Sequence, residues 1–90
     1  MKKIIWIARV ADDSSDAYRA FYDRDSARMQ AGDYFDHLTA GECKTHTVSV
    51  ESYTVEVADD DERSADLLVR DLLLEDCEEL LNPDTYEEIR

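Results

Sequence analysis

The chain has 90 residues and a mass of 10.4 kDa, enough for a single domain with one hydrophobic core. Its formal net charge is -13, so direct binding to nucleic acid or to an anionic membrane has to overcome like-charge repulsion at every phosphate. Hydrophobic residues make up 43%, too many for a chain disordered throughout, yet no apolar run approaches the ~20 residues that span a bilayer.

The acidity is uneven, net -3 over residues 1–57 and net -10 over residues 58–90. That asymmetry allows a basic partner. Met1-Lys2-Lys3 is followed by too short an apolar run for a secretory leader, which makes the cytoplasm the expected location. Cys43 and Cys77 are far apart with no framework spacing and read as free thiols in a reducing compartment.

Residues 2–11, KKIIWIARVA, read as a strand with Ile4, Trp6, Ala8 and Val10 on one face and Ile5 and Ile7 on the other. A strand apolar on both faces is usually central. The polar cluster Asp12–Asp16 is a turn, and residues 17–22 return as a second strand, giving a hairpin. A helix follows with Asp23 or Asp25 as N-cap, its core stripe formed by Ala27, Ala31, Tyr34, Phe35 and Leu38. Gly32 either weakens this helix or marks close packing. Thr39 and Glu42 have the T-x-x-E spacing of a capping box and predict a short second turn.

Thr45 to Val57, THTVSVESYTVEV, is the longest run of β-formers and the expected centre of the fold. Val48 and Val50 are in one phase, Tyr53, Val55 and Val57 in the other. Either a β-bulge at Glu51-Ser52 returns both sets to one face, or the sheet is covered on both faces. The run 58–63, ADDDER, reads as a solvated linker or helix entry, its acids at the favourable end of the helix that follows. It leads into a helix over residues 64–81 with Ser64 as N-cap and Asn82-Pro83 as its stop. On that helix Val69, Leu73, Cys77 and Leu80 centre an apolar stripe, widened by Leu67, Leu74 and Leu81 on one side and by Leu68 and Leu72 on the other. Its breadth predicts contact with the second sheet face, with another copy of the chain in a homodimer, or with both. Asp71, Glu75, Glu78 and Glu79 form the acidic face that remains, and residues 84–90 read as one frayed turn.

Between residues 27 and 57, an alanine-bearing helix and an aromatic precede His37-Leu38-Thr39, with Glu42 and a β-rich run after it. This resembles small uncharacterised bacterial proteins of the kind found in gut Firmicutes and their mobile elements. The likeness covers about a third of the chain, and Lys44 stands alone where that group is lysine-rich. It supports helix followed by strand and transfers no site.

Only two glycines occur, too few for a nucleotide-binding loop. His37, Cys43 and His46 lack the paired spacing of a zinc site, and residues 59–62 lack the alternation and glycine of a Ca²⁺ loop. No cofactor, metal site or catalytic residue is therefore assigned. The expected fold is α+β, ββαβα, a three-stranded antiparallel sheet of order 2-1-3. One helix packs on that sheet and an acidic helix ends the chain. The domain is 1–90, with the sheet and first helix in 1–57 and the acidic linker and C-terminal helix in 58–90. The expected role is a protein-interaction module, not an enzyme, which presents Asp71, Glu75, Glu78 and Glu79 to a basic protein. The alternatives are a nucleic-acid mimic that inhibits a DNA-binding protein, and a small enzyme or metal-binding protein using Cys43 and His46.

Overall fold

A computed structural model describes residues 1–14, 16–75, 80 and 82–89, with the side chain of Cys43 excepted. In chain order the elements are β1 (Lys2–Ala11), β2 (Asp16–Phe21), α1 (Arg24–His37), α2 (Glu42–Thr45), β3 (Thr47–Glu56), α3 (Ala65–Leu74) and β4 (Thr85–Glu88). The strands form one antiparallel sheet of order β2-β1-β3-β4. The expected order 2-1-3, with β1 central, lies within it. Two expectations are corrected: the sheet has four strands, and residues 85–88 form the fourth rather than a frayed turn.

The β1–β3 ladder runs from Lys2↔Glu56 to Ala11↔Thr47 without a slip, so Glu51-Ser52 is not a bulge. The change of phase has another cause. Ile5, Ile7, Tyr53, Val55 and Val57 pack with Ala20 against Ala65, Leu68 and Val69 of α3. Ala8, Val48 and Val50 pack on the opposite face against Ala27 and Ala31 of α1. Because side chains alternate across a strand, an apolar set that changes phase at mid-strand has changed faces. The two helices thus cover diagonally opposite halves of the sheet. The other half of the α1 face holds Lys2, Ile4 and Trp6 beside Glu56, Thr54 and Ser52, and Ile4 is 52% exposed there.

Local capping fixes where the helices start. The Asp23 carboxylate accepts from the Ser26 N–H at 2.8 Å, and Ser64 Oγ accepts from the Leu67 N–H at 3.3 Å. The predicted capping box is present in both directions: Thr39 N–H donates to Glu42 Oε1 at 3.1 Å, and Glu42 N–H to Thr39 Oγ1 at 3.2 Å. Along α1, Ala27 and Ala31 are buried and Tyr34 and Leu38 pack beside them, while Phe35, expected in the same stripe, is exposed at its edge. A Cβ at Gly32 meets nothing within 4 Å, so this glycine does not serve close packing.

The C-terminal helix is shorter than expected. It ends at Leu74, where the Glu75 N–H caps the Asp71 and Leu73 carbonyls. Its buried residues are Ala65, Leu68 and Val69, with Leu72 half-buried, an i, i+3, i+4, i+7 stripe. The expected centre at Val69 and Leu73 is therefore shifted: Leu67, Leu73 and Leu74 are exposed, Leu74 by 79%. Cys77, Leu81, Glu78 and Glu79 lie outside the described residues. Among the described residues no helix is long and apolar enough to cross a membrane.

Candidate functional site

The acidic residues nominated from the sequence do not form one free row. Asp71 Oδ2 is 3.0 Å from Arg63 Nη1, and Glu75 sits at the cap of α3, exposed. Glu78 and Glu79 lie outside the described residues. Arg63 also clasps Asp61 with Nη2 at 2.6 Å and Nε at 3.1 Å, and Lys3 Nζ donates to the Asp61 carbonyl at 3.0 Å. Hydrogen bonds from the Arg63 side chain and backbone, then the charges of Arg63 and Lys3, hold the Asp61 carboxyl down to about 2. Part of the run read as a solvated linker is therefore an anchor for the start of α3.

The other arginines among the described residues are held in the same way. Arg9 pairs with Asp16 at 3.0 Å, Arg19 with Asp66 at 3.6 Å, and Arg24 and Arg28 with Glu87 at 3.1 and 3.6 Å. Arg70 lies 3.8 Å from Asp71. Every arginine among the described residues thus faces a carboxylate. By contrast Asp13, Asp25, Asp33, Asp36, Asp60, Glu62, Glu75 and Glu88 are exposed and have no ion-pair partner among the described residues. These free acids are spread over α1, the loop before α3, its C-terminal end and β4.

One polar cluster is buried, and the sequence did not disclose it. Glu51, 7% exposed, accepts from the Tyr53 hydroxyl at Oε2 and from Ser49 Oγ at 3.4 Å, and its Oε1 is 3.5 Å from Arg9 Nε. Burial, then the hydrogen bond to Glu51, pushes the Tyr53 phenol above its ordinary range. Arg9 Nε is buried with no hydrogen bond, so the Arg9–Glu51 contact is an ion pair only. The cavity beside it, lined by Ile7, Arg9, Tyr18, Tyr53, Val69, Leu73 and Leu80, is about 20 Å³, room for a water rather than a substrate. The cluster ties β1 to β3 and offers no open chemistry.

The Cys43–His46 alternative meets a similar limit. His46 places Nε2 3.3 Å from Asp12 Oδ2, and Nδ1 3.0 Å from the Glu42 carbonyl oxygen and 2.9 Å from Thr45 Oγ1. Both ring nitrogens are occupied, which leaves neither to take a proton from a thiol. Ser14 Oγ is 3.2 Å from Asp12 Oδ1, so the serine contacts the acid and not the imidazole, the wrong order for a nucleophile relay. His37 Nδ1 is 2.7 Å from the Asp33 carbonyl oxygen, in a different element from His46. Among the described residues no group of three His, Cys, Asp or Glu side chains is placed to hold a metal.

A concave surface lies elsewhere. A cleft of about 380 Å³ opens on the α1 face between the first turn of α1 and β4, lined by Trp6, Arg24, Val50, Thr85, Tyr86 and Glu87. Trp6 and Val50 are supplied by alternate positions of neighbouring strands. Ser52 Oγ and Thr85 Oγ1, 2.6 Å apart, and the Thr54 hydroxyl bound to Asp84 Oδ2 at 2.6 Å, fasten β4 to β3 beside it. Sequence reasoning missed this region because it did not place β4. No protein family model, curated protein or solved structure matches the chain.

Proposed function

We propose that the chain is a small protein-binding module whose partner presents lysine and arginine side chains. The observation that carries this reading is the internal pairing of the arginines: with each one among the described residues facing a carboxylate, the surface that remains for a partner is strongly anionic. Exposed carboxylates of this kind attract a basic surface over about a Debye length. A nucleic-acid mimic would need a row of free carboxylates at phosphate-like spacing. Asp71 is neutralised by Arg63, and the free acids are dispersed over several elements, which favours a protein partner over the mimic.

Fluorescence anisotropy tests this with a labelled peptide in which lysine alternates with valine, against the same peptide with glutamine for lysine. The reading predicts that only the lysine peptide binds, and that its affinity falls by at least about tenfold between about 50 and 300 mM salt. Equal binding of the two peptides, or binding of neither at low salt, contradicts it and leaves the acidity to solubility alone.

A further inference from the structure

We propose that the partner docks as an added strand: an extended, lysine- or arginine-bearing segment that pairs along the free edge of β4 and makes a fifth strand of the sheet. This rests on the basic-partner reading and adds where the partner sits and in what conformation.

The sheet has two edge strands, β2 and β4, and among the described residues they differ in how far their outward amides are already taken. On β2 the backbone N–H of Ala20 is accepted by Asp66 Oδ1 at 2.6 Å, and Asp66 is itself held by Arg19. A carboxylate from the first turn of α3 therefore takes one of the outward amides of that edge, next to Phe21 where β2 ends.

On β4 the backbone phase follows from one bond. The Ile89 N–H donates to the Val48 carbonyl at 2.8 Å, in the same register as Ser49↔Glu88 and Ser52↔Thr85. In an antiparallel ladder bonded and non-bonded positions alternate, so Glu87, like Ile89, turns its amide toward β3, and just before the strand the Asp84 N–H donates to the Ser52 carbonyl at 2.7 Å. Tyr86 and Glu88 turn theirs outward, away from the sheet. An unpaired row of this kind is the template that β-augmentation uses.

Charge decides which strand it accepts. Glu88 is exposed and has no ion-pair partner among the described residues, and Glu87 is held by Arg24 and Arg28. Pairing with the β4 of a second copy would set glutamates beside glutamates, which is unfavourable between neighbouring strands. A segment with a basic residue next to Glu88 has the opposite sign. The short, charged edge that discourages self-association is thus selective rather than closed. Side chains of the added strand alternate between its faces. One set lies beside Tyr86, 55% exposed, and Glu88. The other lies beside Thr85 and Glu87 at the mouth of the Trp6 cleft.

The test uses the lysine–valine peptide and a second form of it, N-methylated at two successive central residues. Both forms carry the same charge, but the second cannot complete a ladder through either of its edges. Binding is followed by ¹⁵N chemical shifts of the full chain. The proposal predicts that N-methylation weakens binding by at least about tenfold, and that Tyr86→Pro does the same. Tyr86→Pro removes an outward N–H without breaking a bond inside the sheet, a position where proline is tolerated. If Tyr86→Pro fails to fold, Glu88→Lys decides: the unmodified peptide must bind it at least about tenfold more weakly. Equal affinity for the two peptides overturns strand addition while the basic-partner reading stands. Binding of neither peptide overturns both.

Discussion

Asp66 Oδ1 accepts the backbone N–H of Ala20 at 2.6 Å, so an outward amide at one edge of the sheet is taken by a helix side chain instead of a strand. The same helix buries Ala65, Leu68 and Val69 on that face of the sheet, which couples closure of the edge to packing of the core. Asp66→Ala should destabilise the fold by about 1–2 kcal/mol, the range for a charge-assisted hydrogen bond at a half-exposed site. It should also raise the exchange rate of the Ala20 amide selectively. Asp66→Asn keeps an acceptor oxygen and should fall between the two. Urea unfolding with amide exchange checks both, and an unchanged Ala20 rate in Asp66→Ala would remove the edge-closing role.

Gly32 sits in the interior of α1 with open space where a Cβ would be. Alanine there costs no steric adjustment and reduces the freedom of the unfolded chain. Gly32→Ala should therefore stabilise the protein by about 0.5–1 kcal/mol, read from the urea midpoint at unchanged m-value. A loss of stability would mean that the glycine serves a contact not evident from its surroundings.

The Asp61–Arg63 clasp sets a pH dependence of definite sign. Arg63 holds the Asp61 carboxyl at about 2, below its ordinary 3.8. With the folded value depressed, the stabilisation is complete above 3.8 and is lost as pH falls from there through about 2. Carboxyl NMR of Asp61 should show its titration below the bulk of the aspartates, and Arg63→Gln should move it up toward them. Titration of Asp61 with the other aspartates in the unsubstituted protein would contradict the clasp.

Tyr53 and Glu51 are buried together, and the hydroxyl is the donor that satisfies Glu51 Oε2. Tyr53→Phe leaves that oxygen unsatisfied and should cost about 1–3 kcal/mol. The phenol is raised above its usual 10.0 by burial and then by Glu51. A raised folded value means that its contribution is full below pH ~10 and declines above it, as the unfolded chain ionises first. The alkaline slope of stability should be shallower in Tyr53→Phe. An equal slope would show that another group dominates there.

What could be read from the sequence was local. The strand at β1, the Asp23 and Ser64 caps and the Thr39–Glu42 box rest on residues within a few positions of one another, and the structure has each of them. The phase change in β3 was visible as well, but a bulge and a second covered face make the same pattern. Only the placement of α1 and α3 on opposite faces separates them. β4 went unseen because four residues, two of them glutamate, carry little strand preference; pairing to β3 makes TYEE a strand. The burial of Glu51 depends on Arg9 and Tyr53, and a lone glutamate in a β-rich run gives no hint of a partner in another strand. The Leu72-Leu73-Leu74 run drew the expected helix centre too far toward the C-terminus, whereas the buried stripe begins at Ala65.

Amide hydrogen exchange at Tyr86 and Glu88 tests the proposed docking mode most directly. In the free protein both amides should exchange much faster than that of Glu87, which faces β3. At saturating lysine–valine peptide both should slow by at least about tenfold, and added salt should restore the fast rates. Unchanged exchange at Tyr86 and Glu88, at a peptide concentration where binding is complete, would contradict strand addition at β4.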